Sequence, residues 1–103
     1  MFVHVERIFV QMTIKVQVTS VIQKVVNGQS EFEIEGSVIS ELIENIEGKY
    51  PGFLQQIADE SGELHRFVNV YVNDEDIRFI DGKDTLLNPG DIVAFLPALS
   101  GGL

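Results

Sequence analysis

A chain of 103 residues, 45% of them hydrophobic and with only three prolines, has material for one modest core and too little for two domains. Sixteen Asp and Glu against seven Lys and Arg leave a net charge of -9, so most of the surface repels a phosphate backbone and nucleic acid is not an expected partner. Cysteine is absent, which excludes disulfide scaffolds, thiolate metal sites, iron-sulfur clusters and cysteine nucleophiles, and no apolar run reaches the roughly 18 residues of a membrane span. A cytoplasmic chain with no membrane partner is the expectation.

Residues 1–11, MFVHVERIFVQ, precede the first well-patterned stretch and stand apart as an N-terminal extension. They are open to three readings: an added edge strand, a partner-binding arm, or a start placed too early. From Met12 the sequence MTIKVQVT alternates without a break, with Met12, Ile14, Val16 and Val18 on one face and Thr13, Lys15, Gln17 and Thr19 on the other. That period of two predicts a half-buried strand. Asn27-Gly28 favours positive φ, and behind it Glu31 to Glu35 alternates again with its acids outward, so the two strands read as a hairpin.

Ser37 reads as a helix N-cap, because Val38, Ile39, Leu42, Ile43, Ile46 and Tyr50 then recur at helical spacing. The helix should stop before Pro51-Gly52, and FLQQIA beyond it has length for about one further turn. Phe67 to Asn73 alternates once more, with Val68, Val70 and Val72 inward and Phe67, Asn69 and Tyr71 outward. A turn at Asn73-Asp74 predicts a short strand through Ile77 and Phe79, closed by Asp81-Gly82. Asn88-Pro89-Gly90-Asp91 is a turn signal that launches Ile92 to Leu96, an apolar run without alternation, as in a central strand buried on both faces beside the first. The order strand, strand, helix, strand, strand, strand is that of an α+β sheet with a helix on one face. The folded body is expected over 12–97, with a flexible tail over 98–103 that carries two adjacent glycines.

Side chains able to do chemistry are sparse. His4 and His65 have no second histidine at metal-ligand spacing and read as solvated, the acids are spread over strand and helix faces, and no glycine-rich phosphate loop occurs. An enzyme working alone is not expected. The distinctive feature is the ending, where Gly101-Gly102 follows Pro97-Ala98-Leu99-Ser100. Such a slim tail can enter a narrow channel, or it can be no more than a frayed end.

The ending VAFLPALSGG resembles the sulfur-carrier branch of the ubiquitin-like β-grasp superfamily, the ThiS and MoaD proteins. Residues 64–79, LHRFVNVYVNDEDIRF, resemble the same region of the CysO-type carriers of cysteine biosynthesis, and a looser likeness runs from Met12 to Gly102. The resemblance implies a β-grasp fold: a mixed four- to five-stranded sheet with one main helix packed across one face. It implies a protein co-substrate whose Gly102 carboxylate is adenylated with ATP by an E1-like adenylyltransferase and converted to a thiocarboxylate. The sulfur would pass to a PLP-dependent cysteine or homocysteine synthase, serving cysteine or else homocysteine or methionine biosynthesis, and a JAMM-type zinc metalloprotease would release the product. ATP, PLP and zinc would then belong to partners, and the chain would have no cofactor or metal of its own.

Unlike mature family members, the chain continues past Gly102 to Leu103, which implies processing between those two residues. The resemblance also places Leu96 on the outward face of Phe67 and Tyr71, and so implies that these three dock the activating enzyme. Two other roles use the same tail: the small subunit of a molybdopterin synthase, and a ubiquitin-like modifier joined to lysines.

Overall fold

The computed structural model describes residues 13–19 and 21–97. The N-terminal extension and the tail, with His4, Gly101, Gly102 and Leu103, lie outside those residues. Strand β1 (Thr13–Val18) buries Ile14, Val16 and Val18 on one face, as its alternation requires. It pairs antiparallel with β2 (Glu31–Glu35), Val16 opposite Phe32 and Gln17 opposite Glu31. The connection is more than a hairpin turn. A short helix, α1 (Val21–Lys24), folds Ile22 and Val26 into the core before Asn27 and Gly28, at φ 60° and 77°, reverse the chain.

The main helix, α2 (Ile39–Lys49), buries Ile39, Leu42, Ile43 and Ile46. Ser37 is not its N-cap. Val38 holds that position with extended backbone, and Ser37 instead donates its N–H and its hydroxyl to the Glu41 carboxylate, both at 2.7 Å. Tyr50 ends the helix and packs edge-on against Phe32, with ring centroids 5.1 Å apart. After Gly52, at φ 104°, the turn expected from FLQQIA is α3 (Phe53–Ile57). The Glu47 carboxylate accepts from the N–H groups of Gly52 and Leu54, at 3.2 and 2.8 Å, and so ties the end of α2 to the start of α3.

Strand β3 (Val68–Val72) turns through Asn73-Asp74, at φ 50° and 73°, into β4 (Glu75–Asp76). The strand expected through Ile77 and Phe79 does not form. Asp76 accepts a hydrogen bond from the Arg78 N–H at 2.8 Å, which bends Ile77–Phe79 into a 3₁₀ turn and leaves Phe79 82% exposed. A second such turn follows at Gly82–Asp84. Strand β5 (Ile92–Pro97) then enters the middle of the sheet, whose order is β2-β1-β5-β3-β4, parallel to β1 and antiparallel to β3.

Its burial corrects the sequence expectation. Val93 and Phe95 are fully buried, but Ile92 is 37% exposed and Ala94 and Leu96 are half-buried, because the helices cover one face of the sheet only. Phe95 meets Phe53 edge-on at 5.2 Å, joining β5 to α3 through the centre of the core.

Candidate interaction face and tail root

The uncovered face of the sheet is built by the same alternation that builds the core. On β5, Ile92, Ala94 and Leu96 emerge between the buried Val93 and Phe95; on β3, Asn69 and Tyr71 emerge between the buried valines. Tyr71 stands opposite Ala94, and Asn69 opposite Leu96. Tyr71 and Leu96 are therefore diagonal neighbours across the ladder, within reach of one another's side chains. Gln17 and Lys15 of β1 continue the face opposite Ala94 and Ile92. Lys15 pairs with Glu31 at 3.4 Å, and Arg78 donates to the side chain of Asn69. An apolar stripe along β5 is thus bordered by charged and polar groups on both sides.

The register also fixes where the chain leaves the sheet. Among the described residues Val68 opposite Pro97 is the last rung between β3 and β5, so Pro97 stands beside the start of β3, with Leu96 one position before it. The structure brings two of the three expected docking residues, Tyr71 and Leu96, onto one face. Phe67 differs. It sits in the turn that precedes β3, where the Val68 N–H donates to the His65 carbonyl at 3.1 Å, and its ring stacks on His65 with centroids 4.8 Å apart. Phe67 is 45% exposed at the tail-root end of the sheet, and His65 is a half-buried stacking partner, not a freely solvated side chain.

One feature escaped the sequence reading. A cavity of about 590 Å³ opens beside β3, between residues 63–66 and residues 77–83, and Arg66, Arg78 and Lys83 all line it. No spacing rule links these positions, and only the 3₁₀ turns after β4 bring them together. Among the described residues there is no group of three or more His, Asp or Glu able to hold a metal ion, and no helix is long and apolar enough to cross a membrane.

A mixed five-stranded sheet with a parallel central pair, a helix across one face, and a last strand that runs out from the middle of the sheet defines a ubiquitin-like β-grasp protein. The ThiS family model matches residues 16–102, and the chain belongs to that family. It is 39% identical over 93 residues to the sulfur carrier protein CysO of Mycobacterium tuberculosis strain H37Rv, a match spanning 88% of this chain and 100% of the relative. The crystal structure of Mycobacterium tuberculosis CysO superposes with a TM-score of 0.78 at 38% identity, covering 82% of this chain and 98% of that one. CysO in the BexX/CysO complex of Amycolatopsis orientalis gives 0.77 at 34% identity, covering 82% and 94%.

Proposed function

We propose that this protein is a sulfur carrier, a co-substrate and not an enzyme, that bears a thiocarboxylate on Gly102. The observation that carries the reading is the placement of β5: the central strand ends at Pro97 beside the open face, so a partner seated on Tyr71 and Leu96 lies next to the point where the tail begins. Its kinship with carriers named CysO supports the same reading, as does the complex in which one such relative is held by another protein.

Removal of Leu103 by hydrolysis of the Gly102-Leu103 peptide bond frees the glycine carboxylate. An E1-like adenylyltransferase joins that carboxylate to the α-phosphate of ATP, and pyrophosphate leaves. A sulfide equivalent then attacks the acyl carbon, AMP leaves, and a thiocarboxylate remains. Two glycines at the end suit this sequence of steps, since a chain without side chains enters a narrow channel most easily and its acyl carbon is least shielded. On a PLP-dependent synthase the thiocarboxylate sulfur takes the place of the leaving group of an activated serine, or of an activated homoserine, so that the new amino acid is joined to Gly102, and a JAMM-type metalloprotease hydrolyses that bond to free cysteine or homocysteine. ATP, PLP and zinc act in those partners.

Intact-mass measurement decides the central step. The full chain and a version ending at Gly102 are each incubated with ATP, a sulfide donor and the activating enzyme. The shortened chain should exchange one oxygen for sulfur, and the full chain should do so only after losing the mass of leucine. A thiocarboxylate on the full-length chain with its leucine retained would overturn the processing step; no thiocarboxylate on either would overturn the carrier reading.

A further inference from the structure

The outer edge of the sheet is only partly closed. Among the described residues β4 supplies Glu75 and Asp76 alone, so the outer ladder of β3 ends at Tyr71, and Val68 and Val70 have no strand neighbour on that side. The 3₁₀ turn after Asp76 leads the chain away; the Val68 N–H donates back to the His65 carbonyl at 3.1 Å, and the Val68 carbonyl accepts a long hydrogen bond, 3.4 Å, from the Arg78 guanidinium. An open strand edge is a template for another strand.

Beside this edge lies the cavity of about 590 Å³, a volume suited to a side chain together with the backbone that carries it. Its wall is apolar, formed by Leu64, Val68, Val70 and Ile77. Its rim is cationic. Arg66, Arg78 and Lys83 line it, against Glu63 as the one acid among the described residues that does so, in a molecule of net charge -9. Arg66 makes no hydrogen bond or ion pair among the described residues. Lys83 is held only by the Gly62 carbonyl and by an exposed pair with Glu63 at 3.6 Å, and Arg78 reaches Asp76 at 3.7 Å with its side chain 56% exposed. Exposed pairs of this kind exchange for a new carboxylate at little cost.

We propose that this edge receives an extended acidic segment of a partner protein as an added strand. Its main chain pairs with Val70 and with the weakly held Val68 carbonyl, one apolar side chain enters the cavity against Ile77 and Leu64, and flanking carboxylates meet Arg66 and Lys83. The charge of the rim selects the occupant, since a basic segment is repelled. A second copy of this chain is a poor donor, because its own acidic strand, β2, turns Phe32 into its own core. The added strand would lie against the end of β3 that faces Pro97, alongside the tail root. The inference stands on the edge and the cavity, whether or not the tail carries sulfur.

Backbone-amide NMR on the isotope-labelled full chain tests it, with a short capped peptide of alternating glutamate and valine as the probe. Saturable shifts should appear at residues 64–70 and 77–83. Arg66→Glu with Lys83→Glu should weaken binding by about tenfold or more with an unchanged melting midpoint. If that double variant fails to fold, Arg66→Gln alone, an exposed site, should still weaken binding. N-methylation of the peptide amides that face β3 should abolish it. Equal binding of a lysine-valine peptide, equal binding of free glutamate, shifts confined to the Tyr71 and Leu96 face, peptide-independent self-association through this edge, or no shifts would each overturn the proposal.

Discussion

The two faces of the sheet come from the same strands and differ by one residue of phase. On the helix side, Ile14, Val16, Val70, Val93 and Phe95 are essentially inaccessible, and every position answers to its neighbours' volume. On the other side, Lys15, Gln17, Tyr71, Ala94 and Leu96 remain half-exposed and answer mainly to solvent. The apolar stripe there fills no volume in the described core. The contrast teaches that side chains on the packed face are explained by the fold, whereas Tyr71 and Leu96 are not required by the core and are the positions at which the proposed docking can be tested apart from stability.

The comparison is broken most severely from the packed side. Leu42 is fully buried on α2, and Leu42→Ala should cost about 2 to 5 kcal/mol, read as a lowered urea midpoint with an unchanged slope. A midpoint equal to the parent's would mean that α2 does not close the core as described. The next largest effect is overpacking at the same place. A Cβ added at Gly36 would stand 2.9 Å from both Cα and Cβ of Leu42, and a helix backbone atom cannot swing aside as a side-chain tip can. Gly36→Ala should therefore cost about 1 to 3 kcal/mol, whereas Gly48→Ala, with nothing within 4 Å, should be neutral or stabilising.

On the open face the expected effect on stability is smaller and the effect on function larger. Tyr71→Asp and Leu96→Lys should each change unfolding free energy by about 1 kcal/mol or less, since neither side chain is buried in the core. The same variants should lose most of their thiocarboxylate yield with the activating enzyme. Full yield from the folded double variant would remove this face from the docking surface and leave the edge of β3 as the better candidate.

How much of this was legible in the sequence follows from which forces are local. Period-two alternation placed β1, β2 and β3 correctly, and the spacing of Leu42, Ile43 and Ile46 placed α2, because one-sided burial writes itself into the pattern. Parity likewise put Tyr71 on the open face. Two of the strand readings failed for identifiable reasons. Ile92 to Leu96 read as buried on both faces because a strand with an apolar, half-exposed outer face has the same composition as a fully buried one. Ile77 and Phe79 read as a strand because the carboxylate of Asp76, which bends that segment, acts below the scale of hydrophobic pattern. The cationic cavity was out of reach altogether, since the nearness of Arg66 to Lys83 is a property of the tertiary path.

The smallest expected effect concerns two surface carboxylates that hold loops in place. The Asp59 carboxyl lies below the usual carboxylate range, chiefly because the Ser61 hydroxyl donates to it at 2.7 Å and also because the Glu63 N–H does so at 3.0 Å. The Glu41 carboxyl is lowered in the same way by the hydroxyl and then the N–H of Ser37. A carboxylate whose folded value is depressed stabilises the fold at every pH above its unfolded value, and that contribution is lost as pH falls through the folded one. Both groups are fully solvent-exposed, so the contribution is small and easily screened by salt. Asp59→Asn lacks the titrating group, so the parent's advantage in melting midpoint over Asp59→Asn should be largest near neutral pH and shrink on acidification below the carboxylate range. Ser61→Ala should move the Asp59 titration, followed by its side-chain carbonyl resonance, upward toward the ordinary value, and an unmoved titration would mean that the hydroxyl does not hold the charge. Arg66→Gln should leave this pH dependence intact, because its effect belongs to the cavity rim and not to the loop, and the pair of measurements separates a residue kept for the fold from one kept for a partner.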